Sequence, residues 1–242
     1  MKIAMIGTGY VGLVSGVCFS DFGHEVVCID KDPNKIDMLN AGQVPIYEPG
    51  LLDVMTRNVA AGRLSFTLDL KDALDGASAV FIAVGTPTRR GDGHADISYV
   101  LAAAREIAST ARDYLVVVTK STVPVGTNRA VAQAIRDTNP DLEFDVASNP
   151  EFLREGAAIG DFMKPDRVVL GVESERGETV MRDIYRPLYL REFPIVVTDL
   201  ESAELIKYAA NAFLATKISF INEVAALCEK VGADVKEVSR GI

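Results

Sequence analysis

With 242 residues, 48% of them apolar and 24% charged, the chain can build one large domain and part of another around a sizeable core. A net charge of −9 argues against a nucleic-acid partner or an anionic membrane surface, but not against small anionic ligands, which a helix terminus or one lysine can hold. Three cysteines (Cys18, Cys28, Cys228) without CxxC spacing, and His24 and His94 without a companion at ligand spacing, point to a reducing, cytoplasmic setting and to no metal site. No uninterrupted apolar run reaches the length needed to span a bilayer.

The first thirty-two residues organise the rest. An apolar run (Ile3 to Ile6) leads into Gly7-Thr8-Gly9-Tyr10-Val11-Gly12, an apolar helical stretch to Gly23, a second apolar run (Val26 to Ile29) and Asp30. That order is strand, glycine-rich turn, helix, strand, acid, the pattern of a dinucleotide-binding unit. Gly7 permits the tight turn, Gly9 lets a pyrophosphate approach the backbone, and Gly12 lets the helix pack on the strand. The helix start offers unpaired N–H groups and a positive dipole end. A secretory leader is not expected, because three glycines interrupt the would-be apolar stretch. Asp30, eighteen residues past Gly12, suits a ribose and would repel the extra phosphate of NADP, so NAD is the expected cofactor. Lys35 either nears the adenosine end or is a solvated helix lysine.

Further along, Asp32 can cap and Pro33 can start a helix to about Asn40. A loop with two prolines, residues 43–51, precedes a helix from Leu51 to Ala61; Phe66 marks a short strand and Asp69 caps a helix to Leu74. The strand 79–84 ends in Gly85-Thr86-Pro87-Thr88, which places Thr86 at the ligand edge of a doubly wound sheet. The charged, glycine-containing loop 89–95 reads as flexible, and Asp96 opens a helix to Thr110. The strand 115–118 closes on residues 119–124 with Thr122 at its end, and a helix covers 127–137. The strand 144–148 ends in Asn149-Pro150-Glu151-Phe152-Leu153-Arg154-Glu155-Gly156. Polar, turn-prone motifs at three successive strand ends point to one crevice. A strand at 167–171, a helix at 174–186 stopped by Pro187, and a strand at 195–197 complete the alternation, which predicts a parallel sheet with helices on both faces.

The pattern then changes. Leu200 to Val231 contains neither Pro nor Gly and predicts one helix of roughly 48 Å. Most of its sides are apolar, which calls for a second domain or a second subunit, and a homodimer through this helix is expected. Lys207 and Asn211, four apart, share a face, where partial burial would suit the lysine to proton transfer; a lysine snorkelling to solvent is the alternative.

Six motifs together resemble the UDP-glucose/GDP-mannose dehydrogenase family: Gly7-x-Gly9-Tyr10-Val11-Gly12-Leu13, Ile46 to Leu51, Val84 to Thr88, Ser121 to Thr127, Ser148 to Gly156, and Glu204-Leu205-x-Lys207-x-x-x-Asn211-x-Phe213. They run in the family's order over essentially the whole chain. Val125 and the Arg154-Glu155-Gly156 run favour UDP-glucose over GDP-mannose. The resemblance implies oxidation of UDP-glucose to UDP-glucuronate with reduction of two NAD. It implies a Rossmann-like NAD-binding domain over 1–199 and the start of a central helical, dimerising domain over 200–242. It assigns the turn Gly7, Gly9, Tyr10, Val11 and Gly12, with Asp30, Lys35, Thr86, Thr122 and Glu155, to the cofactor. Glu151, Phe152, Leu153, Arg154, Glu155, Lys207 and Asn211 fall on the substrate side. Lys207 and Asn211 would stabilise oxyanions, and a water held by Thr122 and Glu151 would handle protons. The family's thioester-forming cysteine, in a Gly-Gly-Ser-Cys segment, and its C-terminal nucleotide-sugar-binding domain would be expected beyond Ile242. Another nucleotide-sugar dehydrogenase, for GDP-mannose or a UDP-N-acetyl sugar, and a non-catalytic NAD-binding module are the competing readings.

Overall fold

The computed structural model describes residues 1–91, 93–191 and 193–242, with the side chains of 189–191 left aside. The chain separates into two units, Met1–Glu204 and Leu205–Ile242.

In the first unit, near-continuous apolar runs form strands buried on both faces. These are β1 (Lys2–Ile6), β2 (Glu25–Ile29), β3 (Leu64–Thr67), β4 (Ala79–Ile82), β5 (Leu115–Thr119), β6 (Phe144–Ser148), β7 (Val168–Gly171) and β8 (Ile195–Thr198). Among the described residues they make one sheet in the order β3-β2-β1-β4-β5-β6-β7-β8. The order reverses between β1 and β4, which places a crevice beyond their carboxyl ends. Side chains alternate between faces with period two. Ile3, Met5, Phe81, Val116 and Val118 meet α1 (Tyr10–Asp21), α3 (Leu51–Ala60), α7 (Ala158–Met163) and α8 (Glu175–Tyr185). Ala4, Val80, Ile82 and Val117 meet α4 (Leu70–Leu74), α5 (Ser98–Thr110) and α6 (Thr127–Thr138). Phe19 of α1 centres the first face, with ring centroids 5.0 Å from Phe81, 5.0 Å from Phe162 and 5.4 Å from Tyr185.

The expectation of a wholly parallel sheet needs correction. β1 to β6 are parallel, but β7 meets β6 antiparallel, and β8 runs parallel to β7. Apolar runs report burial, not strand direction, so alternation could not show the reversal. The junction is held by side chains: Asn149 Nδ2 donates to the Val169 carbonyl at 3.0 Å, and Lys120 Nζ and Tyr185 Oη donate to Asn149 Oδ1 at 3.0 and 2.6 Å. α8 ends at Tyr185, just before Pro187 as expected, and a 3-10 helix, Arg186–Arg191, follows, in whose first turn proline removes only an N–H that has no intrahelical partner. The short α7 has no counterpart in the sequence reading. The caps hold as expected: Asp32 accepts from Asn34 N at the start of α2 (Pro33–Asn40), and Asp69 accepts from Lys71 N at α4. The loop at 89–95 is closed at its base by a Thr88–Ala95 bridge and by Arg89 N donating to His94 O at 2.7 Å; Asp92 within it lies outside the described residues.

Asp21 ties α1 to α3. Arg57 donates to its two oxygens at 2.9 and 2.7 Å and Asn58 at 3.0 Å, which holds the carboxyl below its usual value of 3.8. Asp161 is held down likewise by Arg154. For a depressed carboxyl the stabilisation is present above the unfolded-state value and is lost as pH falls through the folded one. The urea midpoint is therefore expected to be level near neutrality and to fall below about pH 4, near the ordinary Asp value. Asp21→Asn is expected to flatten that slope; an unchanged slope would deny Asp21 the role.

The second unit begins within α9 (Leu200–Val231), the single long helix that the absence of Pro and Gly predicts, and ends in α10 (Val235–Gly241), capped by Asp234. Leu205, Phe213, Leu214, Ile218, Phe220, Leu227 and Val231 are exposed. No described helix is long and apolar enough to cross a membrane.

Candidate functional site

The site is built along the carboxyl edge of the sheet, starting at the glycine-rich turn. Gly7 has φ +102, and a Cβ there would lie 2.6 Å from the Ala83 carbonyl oxygen, so the turn presses on the end of β4. A Cβ on Gly12 would lie 1.9 Å from Gly7 O, so only glycine lets α1 approach the turn. A Cβ on Gly9 meets nothing within 4 Å. Gly9 is also the N-cap of α1 and offers no side chain to cap it. Open space over uncapped helix amides is what a pyrophosphate requires, so these residues fit a dinucleotide.

Asp30 follows β2. Thr8 N and Oγ1 donate to its Oδ2 at 2.8 and 2.6 Å, Asp32 N donates to Oδ1 at 3.1 Å, and Lys35 Nζ lies 3.6 Å from Oδ2. Burial pushes the carboxyl up, but the Thr8 donors, the Asp32 amide and Lys35 outweigh it and hold Asp30 below its usual value. An ionised carboxylate has about four acceptor positions and three are used, which leaves capacity for a ribose hydroxyl. Asp30→Ala is expected to weaken NADH binding roughly tenfold or more, since a hydrogen bond to a charged group contributes about 1.5–3 kcal/mol. The same change is expected to narrow the preference for NADH over NADPH. Fluorescence titration with both cofactors checks this, and equal affinity of wild type and variant for NADH would contradict it.

The next strand ends converge. β4 ends with Ile82 paired to Thr119 of β5, and β5 ends with Thr119 paired to Ser148 of β6. Thr122 and Glu151 each lie three residues past that last pair, and Thr86 lies four past Ile82. Thr86 Oγ1 donates to the Thr122 carbonyl at 2.9 Å, and Ser121 Oγ donates to Val84 O at 2.6 Å, so the two turns are joined. Beyond β6, Leu153 N donates to Glu151 Oε2 at 2.6 Å, and the Arg167 guanidinium stacks 3.9 Å from the Phe152 ring centroid. Arg154 is committed within the loop. Its Nε and Nη2 donate to the Asp161 oxygens at 3.0 and 2.6 Å, and its amide donates to Oδ2 at 2.9 Å. Glu155 beside it is exposed.

Three groups at this edge were not singled out from the sequence. Glu48 is buried and bonded to the Tyr10 hydroxyl, Gly156 N and Ala158 N. Burial and Glu48 raise the Tyr10 hydroxyl to about 12, so it is a neutral donor at ordinary pH. Lys120 is buried under the Thr122 turn, bonded to Asn149 and 5.7 Å from the Phe162 ring centroid. Glu204 is buried and accepts from Gly126 N at 2.6 Å and from Asn128 N and Nδ2 at 2.7 Å, which serves the start of α6 as a helix N-terminus favours. Acids inside the Ile46–Leu51 and Glu204–Phe213 motifs were the available signal. In the second unit, Lys207 and Asn211 occupy successive turns of α9; Lys207 is buried and Asn211 exposed. Among the described residues no cluster of His, Cys, Asp and Glu could hold a metal, and the three cysteines are free.

Comparison with known proteins narrows this edge to one family. Residues 1–189 match the NAD binding domain of the UDP-glucose/GDP-mannose dehydrogenase family, and residues 201–242 match its central domain. UDP-glucose 6-dehydrogenase of Rhizobium meliloti (strain 1021) is 64% identical over 244 residues, covering 100% of this chain and 56% of that relative. UDP-glucose 6-dehydrogenase TuaD of Bacillus subtilis (strain 168) is 51% identical, covering 100% of this chain and 52% of the relative. Among solved structures, a UDP-glucose dehydrogenase from the hyperthermophilic archaeon Pyrobaculum islandicum superposes with a TM-score of 0.92 at 44% identity, covering 99% of this chain and 56% of its own. GDP-mannose dehydrogenase from Pseudomonas aeruginosa also gives 0.92, at 39% identity, over 99% of this chain and 56% of its own. The chain spans about half the length of the curated relatives it matches. The glycine-rich turn with open space at Gly9, the carboxylate of Asp30 held beside it by Thr8, and both domain matches in sequence order carry one conclusion: the chain belongs to the UDP-glucose/GDP-mannose dehydrogenase family.

Proposed function

We propose that the full-length protein oxidises UDP-glucose to UDP-glucuronate with NAD. The observation that carries this reading is the strand-end edge that gathers Thr86, Thr122 and Glu151 beside a dinucleotide turn, in a chain 64% identical to a UDP-glucose 6-dehydrogenase. NAD, when bound, supplies the hydride acceptor. Gly7, Gly9, Tyr10, Val11 and Gly12 hold its pyrophosphate at the start of α1, and Asp30 with Lys35 takes the adenosine ribose. Thr86, Thr122 and Glu155 line the path onward.

Loss of hydride from an alcohol needs a base for the hydroxyl proton and donors for the oxygen's developing charge. Thr122 and Glu151 hold the water that takes the proton, a role supported by their positions past adjacent strand ends. Lys207 and Asn211 donate to the oxyanion, and residues 151–155 seat the nucleotide sugar. The protein works in the cytoplasm as a homodimer that covers the apolar face of α9. The exposure of Phe213, Leu214, Ile218 and Phe220 supports that assembly, and a monomer in sedimentation would remove it. The substrate is tested by comparing kcat/KM of the full-length protein for UDP-glucose, GDP-mannose and a UDP-N-acetyl sugar. UDP-glucose is expected to lead, and a preference for either other sugar nucleotide would overturn the assignment.

A further inference from the structure

Three separated segments meet at one buried carboxylate. Glu48 sits in the loop between α2 and α3 and is only 7% exposed. Its Oε2 accepts from the hydroxyl of Tyr10, on the first turn of α1 at the cofactor turn, and from Gly156 N at 2.9 Å. Its Oε1 accepts from Ala158 N at 2.9 Å, at the start of α7. Gly156 N also reaches the Tyr10 hydroxyl at 3.1 Å, and that hydroxyl lies 3.4 Å from Arg154 O. Gly156 has φ +84, so the chain turns sharply here and presents its amide to Glu48. A carboxylate offers acceptors only, and all these partners are donors, so the match is complete in kind.

We propose that Glu48 is a positioning residue that fixes the crevice loop 151–158 against the glycine-rich turn, so that the groups on that loop keep their register to the bound cofactor. The amides of Gly156 and Ala158 have Glu48 as their common partner across more than a hundred residues of sequence, and no helix or strand ladder holds the loop there. The Arg154 side chain braces the loop against Asp161 of α7, and the loop reaches the turn through the Tyr10 hydroxyl, which Glu48 anchors while it also holds the Gly156 and Ala158 amides. That the loop seats a nucleotide sugar rests on the function proposed above; that Glu48 holds the loop does not.

The test uses the full-length protein and its Glu48→Ala, Glu48→Asp and Glu48→Gln variants. Hydrogen exchange needs no substrate. Glu48→Ala is expected to speed exchange at Gly156 and Ala158 while the amides of Val14 and Val17 in α1 keep wild-type rates. In turnover, kcat/KM for UDP-glucose is expected to fall about 10- to 100-fold, the cost of an ångström-scale misplacement, with a much smaller change in NADH affinity. Glu48→Gln is expected to recover only part of the activity, because its oxygen can accept from Ala158 N but its NH2, itself a donor, would face the Gly156 N–H that Oε2 accepts from at 2.9 Å. Should Glu48→Ala not fold, Glu48→Asp, whose carboxylate is one methylene short, is expected to show the same exchange and kinetic pattern. Unchanged exchange at Gly156 and Ala158 would overturn the proposal, as would an equal loss of NADH affinity and of kcat/KM. Inactivity of wild type toward UDP-glucose would overturn the substrate assignment and leave the exchange result standing.

Discussion

Gly12→Ala is expected to abolish measurable NAD binding and to destabilise the first unit. The added Cβ would lie 1.9 Å from Gly7 O and 3.1 Å from the Ala83 Cβ, and neither a backbone carbonyl nor a strand end can give that much. The turn cannot relax backwards either, because Gly7 at φ +102 already rests on the Ala83 carbonyl. Overpacking of this kind costs about 1–3 kcal/mol and sometimes more. Gly9→Ala is the informative control. Its Cβ meets nothing within 4 Å, so stability should hold while NADH binding weakens, because the methyl enters the space a pyrophosphate needs. Urea midpoints and NADH fluorescence separate the two effects. Wild-type NADH affinity in Gly12→Ala would mean that this turn is not the cofactor site.

Lys207→Ala in the full-length protein is expected to lower kcat by about 10²–10³, the usual cost of removing one oxyanion donor. NADH affinity should barely change. Lys207→Arg is not expected to rescue it, since a planar guanidinium does not replace a compact ammonium at a confined position. Asn211→Ala, one turn along α9, should reduce kcat less, because a neutral donor contributes less than a charged one. Pre-steady-state absorbance at 340 nm reads the chemical step directly. If kcat holds in Lys207→Ala, the lysine is no oxyanion donor; if NADH affinity falls with kcat, its role is structural.

What could be read from the sequence was local. Gly7, Gly9 and Gly12 between two apolar runs fix a strand, a turn and a helix within thirty residues, and Asp32 and Asp69 cap the helices that they precede. The absence of Pro and Gly from Leu200 to Val231 predicts α9 whole. Strand ends carrying Thr86, Thr122 and Glu151 came to one edge because parallel strands place their carboxyl ends together. What could not be read depends on partners far along the chain. Where β7 turns antiparallel, Asn149 reaches the Val169 carbonyl and is itself bonded by Lys120 and Tyr185, contacts that do not show in an apolar pattern. Helix α7 is six residues long and starts against Glu48, 110 positions earlier. The pairing of Arg154 with Asp161, seven residues on, does not show in the sequence pattern either. Glu204, which heads the motif that carries Lys207 and Asn211, turns to the amides of Gly126 and Asn128.

The most direct test of the account is the ratio of NADH formed to UDP-glucose consumed by the full-length protein, followed at 340 nm with the product resolved by mass spectrometry. The account predicts a ratio of two with UDP-glucuronate as the product. A ratio of one, or consumption of UDP-glucose without NADH, would contradict it.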